Sequence, residues 1–330
     1  MAVALATAAV ALPGCGRGSD AAPADHSLVR ARAIFGRIGP NDPYCSAAVL
    51  RGDRVVFAEA FGSTRGHRAT PATKGDIASV SKQFTGVAIQ RLIAQGDLSG
   101  DDLVGDLVPA SRPATDDLTV DELLTHTSGL ADYGDLLDED YDQRTTQAEA
   151  VAAIARSRPT GTRGRFDYSN SNYVLLAEVV RAVDGRSLPR YLHDEVFGPL
   201  HLDMAVAPHG AWRQVGDGSV WTTPTELVRW SRQYWHQTLD GPRLARVMFR
   251  RTVDASEGDP DVDDEYGSGI MRATLDDGAE EFFHDGSWNG YETDWALIPD
   301  EHVAAAVTCN EKAPLRADSP AEALLAIYRS

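Results

Sequence analysis

The chain has 330 residues, of which 43% are hydrophobic and 24% charged, with a formal net charge of −18. That length gives one large domain or two intimate ones with an ample core, and the composition is that of a globular protein rather than a disordered or fibrous one. The acidic balance repels nucleic acid and anionic membrane surfaces, so neither is expected as a partner.

Residues 1–25 read as a leader and spacer. The apolar run 2–12 is about as long as a secretory h-region and too short to span a bilayer. Gly14, Cys15 and a polar stretch follow. The arrangement resembles a bacterial lipoprotein signal with Cys15 as the lipidated residue, which implies an extracytoplasmic location and a lipid anchor at Cys15. A helix is predicted over 28–38. Residues 45–50 and 55–61 are β-rich and meet at Arg51-Gly52-Asp53-Arg54, which predicts a hairpin with a Gly-Asp turn. The spacing of Val80, Phe84, Val87, Ala88 and Leu92 predicts a helix over 79–95, with Gly96 placed to end it.

Helical patterns then dominate as far as residue 266, over 120–124, 146–156, 171–183, 188–196 and 223–237. Afterwards the period changes: 281–284, 291–298 and 302–309 are strand-like, with a turn at 299–301 and a closing helix over 320–328. Two strands cannot bury a face alone, so the early hairpin and the three late strands are predicted to join in one five-stranded antiparallel sheet. The expected fold is α/β (α+β). A sheet subdomain spans 26–78 and 265–330, a mainly helical subdomain spans 79–264, and a ligand cleft lies between them.

Three short segments carry chemistry. Lysine is scarce, with only Lys74, Lys82 and Lys312, and one of them completes Ser79-Val80-Ser81-Lys82. Positions i and i+3 share a helical face, so the ammonium lies beside the hydroxyl and eases formation of an alkoxide or takes up its proton. The helix start adds N–H groups and a positive dipole end that favour an oxyanion. Tyr168-Ser169-Asn170 precedes another helix: a tyrosine beside a cation serves as general base, and Asn170 offers a donor and an acceptor to a substrate amide. His284-Asp285-Gly286-Ser287 ends a strand, where glycine lets a ligand approach the backbone and the Ser287 N–H pairs with that of Ser79 as oxyanion donor. Taken singly, each has a plain alternative: a chance Ser-x-x-Lys, a helix N-cap, a polar hairpin end.

Together the three resemble the serine penicillin-recognising family, in the branch of class C β-lactamases, DD-carboxypeptidases of the His-x-Gly type, esterases and D-aminopeptidases. Ile77 to Thr85 is similar to that family's nucleophile segment and Leu123-Leu124-Thr125-His126-Thr127-Ser128-Gly129-Leu130 to its middle box, and the likeness runs from about residue 45 to 310. It implies a serine hydrolase that forms an acyl-enzyme on an amide or ester (a β-lactam, a D-amino-acid peptide or a carboxylic ester) and needs no metal or organic cofactor. Ser79, Lys82 and Tyr168 are the expected catalytic residues, and Asn170, His284, Gly286 and Ser287 the expected substrate-binding ones. A catalytically silent binding protein on the same fold is the alternative. His126 is expected to be structural. This chain departs from the family at Gly216-Asp217-Gly218-Ser219, where relatives carry two adjacent glycines, and at Asp285, where a carboxylate is expected close to the substrate's own carboxylate if one binds. In the sheet proposed above, as in the fold the resemblance implies, Cys45 and Cys309 lie on antiparallel neighbours and form a disulfide. Two buried free thiols are the other reading. No Gly-x-Ser-x-Gly elbow, Cys-x-x-Cys pair or zinc-type histidine spacing is present.

Overall fold

The computed structural model describes residues 26–329 apart from 138–144, 210–212, 240, 242, 257–262, 289, 311–312 and 315–318. Cys15 and its lipidation therefore lie outside the described residues. The chain builds a mixed α and β fold around one antiparallel sheet. In order across that sheet the strands are Arg54–Phe61, Cys45–Arg51, Val303–Asn310, Tyr291–Ile298, Glu280–Trp288, Met271–Thr274, Glu265–Tyr266 and Val253–Asp254.

The first five are the strands expected from the sequence, joined as expected. The sheet nevertheless has eight strands, not five. The three added at the edge are two to four residues long, too short to show an alternating pattern. Val253–Asp254 joins the sheet from inside the stretch assigned to the helical subdomain.

The central strand Val303–Asn310 is buried on both faces, and its alternation divides two cores. Ala305, Val307 and Cys309 face a layer formed with Ala47, Val49, Leu324, Leu325 and Tyr328 under the terminal helices His26–Ile34 and Pro320–Tyr328. Ala304 and Ala306 face the larger core, which holds Phe84, Val87, Leu175, Trp230 and Trp295. Small alanines on this strand let helix Pro224–Ser231 pack closely against the sheet. Cys45 pairs with Cys309 in register, and the two are joined by a disulfide with Cα atoms 4.0 Å apart.

Helix Lys82–Gln95 runs through the larger core and is buried almost all round, so its one charged first-turn residue is enclosed with it. Gly96, left-handed at φ 84°, ends it by donating to the Ile93 and Leu92 carbonyls. The predicted helix over 79–95 is in fact two pieces. Ala78–Ser81 is a tighter 3₁₀ turn ahead of the α-helix, because Ala78 is left-handed at φ 48° and turns the chain sharply out of the strand Gly75–Asp76.

Candidate active site

The 3₁₀ turn presents Ser79, and Lys82 follows one turn later. Lys82 is completely buried. Its ammonium donates to Ser79 Oγ at 3.0 Å, to Asn170 Oδ1 at 2.8 Å and to the Asp217 carbonyl at 2.8 Å. Three donors meet three acceptors, so the buried charge is fully satisfied.

Each acceptor is held by its own scaffold. Asn170 opens helix Asn170–Asp184, and its N–H donates to Asp132 Oδ2 at 2.7 Å, which fixes the first turn of that helix beside Lys82. Asp217 belongs to a loop tied to the nucleophile segment at several points. Thr85 Oγ1 donates to the Gly216 carbonyl at 2.7 Å, the Val220 N–H to Ser81 Oγ at 3.1 Å, and the Ile77 N–H to the Val220 carbonyl at 3.0 Å. The Asp217 side chain accepts from Tyr133 O–H at 2.8 Å. Burial raises its proton affinity, while Lys82 and the Tyr133 hydroxyl oppose that rise.

Tyr168 is 37% exposed, with its ring centroid 5.0 Å from Lys82 Nζ. Its ring stacks on His126 at 4.3 Å. His126 is fully buried and left-handed at φ 54°. Its Nδ1 faces two donors, the Ser169 N–H and the Asn172 amide, so Nδ1 is an acceptor and the ring proton sits on Nε2. Burial, with Lys82 and His284 nearby, holds His126 well below its ordinary value, so the ring is neutral and serves as a platform for Tyr168.

Strand Glu280–Trp288 forms the opposite wall. A Cβ on Gly286 would lie 2.7 Å from the Ile77 carbonyl and 2.8 Å from the Ser79 nitrogen, so only glycine lets this strand press against the nucleophile turn. That contact sets Ser287 beside Ser79 on one cleft, together with Asn170, Tyr133, Asp217 and Trp288. His284 is placed differently. It is buried beneath the cleft, with Nε2 3.3 Å from Tyr266 Oη and Nδ1 2.5 Å from the Asp285 carbonyl. Burial pushes it down to about 4, with Lys82 adding to the fall and Asp285 opposing it, so it offers no positive charge to a substrate at neutral pH. Asp285 lines a groove with Asp294 and Glu322 beside the C-terminal helix, and Ser287 borders both that groove and the cleft of Ser79. The carboxylate in the cleft is Asp217.

Tyr133, Asp132 and Asp217 escaped the sequence reading. The only signal for Asp217 was its place in an altered glycine segment, and its contribution to Lys82 is a backbone carbonyl that any residue supplies. Among the described residues no group of histidine, cysteine, aspartate and glutamate has the geometry of a metal site.

A serine hydroxyl hydrogen-bonded to a buried lysine, beside a tyrosine and a strand edge, is an arrangement suited to serine acyl transfer. Residues 43–329 match the model of the Beta-lactamase family, and the chain belongs to that family. It is 29% identical over 170 residues to Protein flp of Staphylococcus aureus (strain COL), a match covering 48% of this chain and 34% of that protein, so the chain spans about a third of that relative. Among solved structures it resembles the octameric penicillin-binding protein homologue from Pyrococcus abyssi, with TM-score 0.76, 23% identity and coverage of 91% of this chain and 75% of that one. It also resembles a D-stereospecific amidohydrolase from Streptomyces sp., with TM-score 0.73, 22% identity and coverage of 92% and 98%. These two likenesses establish the fold.

Proposed function

We propose that the protein hydrolyses an amide or ester through a covalent acyl-Ser79 intermediate. The observation that carries this reading is the buried Lys82 ammonium, 3.0 Å from Ser79 Oγ and fixed by two further acceptors. Ser79 Oγ attacks the substrate carbonyl carbon. Its proton passes to the Tyr168 hydroxyl oxygen, which gives up its own proton to the departing amine or alcohol as the carbonyl–heteroatom bond breaks, while the Lys82 ammonium keeps its charge beside both. The N–H groups of Ser79 and Ser287 stabilise the tetrahedral oxyanion, and the free NH₂ of Asn170 orients the acyl group. Water then attacks the acyl ester, its proton returns to Ser79, and the carboxylic acid leaves.

The cleft favours neutral or amine-bearing acyl groups over carboxylate-bearing ones, because Asp217 lines it and its lysine is already engaged. Activated esters need little leaving-group assistance and are the first substrates expected to turn over, and amides of D-amino acids follow. A fluorophosphonate probe should label the wild-type protein and not Ser79→Ala, whose fold should survive at a cost of about 1 kcal/mol or less. Full activity in folded Ser79→Ala would end this reading. Rapid turnover of nitrocefin or a D-Ala-D-Ala peptide with negligible cleavage of p-nitrophenyl acetate would reverse the substrate order.

We also infer an extracytoplasmic location with a lipid anchor at Cys15. The Cys45–Cys309 disulfide suits an oxidising compartment. Mass spectrometry of the protein from its native host should find an acylated Cys15 at the mature N-terminus, and an unprocessed chain in the cytosolic fraction would refute it.

A further inference from the structure

Asp76 takes no part in the mechanism above, yet it lies directly under the nucleophile turn. It is completely buried on the two-residue strand Gly75–Asp76, which pairs with Val220–Thr222 and so touches both the Ser79 turn and the Asp217 loop. Its Oδ1 accepts the Ala78 N–H at 2.8 Å. Ala78, the residue before Ser79, is left-handed at φ 48°, and Ser219 on the opposite loop is left-handed at φ 73°. Residues with a Cβ pay on the order of 1 kcal/mol or more for such a conformation, and they persist only where their surroundings hold them. The carboxylate supplies that hold at Ala78, and the Ser219 N–H favours its ionised form as well.

The second oxygen, Oδ2, has no hydrogen-bond partner among the described residues and lies 3.5 Å from His209 Nδ1. His209 packs edge-on against Trp221 at 4.8 Å, which closes the carboxylate off from solvent. Burial pushes Asp76 up to about 7, with Asp217 adding to the rise and the Ala78 N–H opposing it. A buried acid held at that cost, three residues before the oxyanion donor and hydrogen-bonded to the residue next to it, matches a functional constraint better than a packing role.

We propose that Asp76 is a positioning residue for acyl transfer: its carboxylate fixes the left-handed turn at Ala78 and thereby aims the Ser79 N–H at the oxyanion. The inference rests on the acyl-Ser79 reading. A donor displaced from the oxyanion loses strength in the transition state and not in the ground state, so the effect falls on kcat and not on KM.

The test compares wild type, Asp76→Ala and Asp76→Asn for p-nitrophenyl acetate hydrolysis, and for affinity toward phenylboronic acid, whose serine adduct places a hydroxyl at the oxyanion position. Asp76→Ala should lower kcat roughly 10- to 100-fold with KM within about threefold, and boronate affinity should fall by the same factor. Asp76→Asn, which keeps an acceptor for Ala78 without the charge, should recover most of the loss. A folded Asp76→Ala with unchanged kcat overturns the proposal, as does a fall in kcat with boronate affinity intact. Should Asp76→Ala fail to fold, Asp76→Asn decides: a roughly three- to tenfold parallel loss in kcat and boronate affinity is expected, and unchanged values overturn it. An active wild type with insensitive variants refutes this inference alone. A wild type that neither labels with fluorophosphonate nor cleaves the ester refutes the acyl-Ser79 reading and this inference with it.

Discussion

The two faces of strand Glu280–Trp288 treat buried charge in opposite ways. On the face of His284 and Gly286, the strand closes over a lysine that is completely enclosed, with each of its three N–H bonds met by an acceptor. On the face of Glu281 and Asp285, carboxylates collect beside the C-terminal helix. Glu281 is pushed up to about 7 by burial first and then by Glu322 and Asp294, which Arg329 only partly offsets. Asp294 is pushed up to about 6 by burial, although it accepts the Ala321 N–H at 2.7 Å and the Ser319 hydroxyl at 3.0 Å to cap that helix. Enclosure is thus not what makes a buried charge costly. The cost depends on whether the surrounding dipoles and charges match its sign and its number of hydrogen-bonding sites.

The comparison breaks most severely at Lys82. Lys82→Ala removes the ammonium that donates to Ser79 Oγ and strands the Asn170 and Asp217 acceptors. Stopped-flow measurement should show acylation slower by about three powers of ten or more. A loss of less than tenfold would mean that the ammonium is structural.

Tyr168→Phe sharpens the same side of the comparison. The ring keeps its stack on His126 and its place over Lys82 while losing only the hydroxyl. A fall in kcat of roughly 10²- to 10⁴-fold at nearly constant KM is expected if that hydroxyl moves the proton. An unchanged kcat would mean that the Ser79 proton leaves by a route other than the Tyr168 hydroxyl.

The smallest effect belongs to the acidic face and shows in stability, not rate. With a folded value near 7 against an ordinary 4.5, Glu281 binds its proton more tightly in the folded protein. Its contribution therefore holds at low pH and is lost as pH rises from about 4.5 to about 7. Glu281→Gln should unfold at a higher temperature than wild type at pH 8, by at most about 3 kcal/mol of stability, and the difference should vanish near pH 4. Equal gains at both pH values would show packing, not charge, to be the cause.

What could be read in the sequence followed the range of the interaction. Ser79 and Lys82 sit one helical turn apart, so their meeting was legible from spacing alone. The first five strands were legible because each is seven to nine residues long, and the burial of Val303–Asn310 shows in its run of small and branched apolar residues. The direction of Asp285 depends on strand parity, which a motif match ignores: it lines the groove with Asp294 and Glu322. Asp76 and Tyr133 act through contacts fixed only when distant segments close on one another. Tyr133 reaches across 84 residues to Asp217, and nothing local marks it. The left-handed backbone at Ala78 was equally invisible, since alanine rarely adopts it.

The bond between Cys45 and Cys309 gives the molecule the topology of a closed loop, with the two sulfurs separated by 264 positions along the chain. Almost everything that matters chemically, from Asp76 to Ser287, lies on that covalent circle. A protease that cuts one exposed segment of the circle opens it without dividing it, and the halves of the cleft stay attached through the disulfide. Such a nicked molecule stays in one covalent piece until a reductant is added, with strands Cys45–Arg51 and Val303–Asn310 still joined.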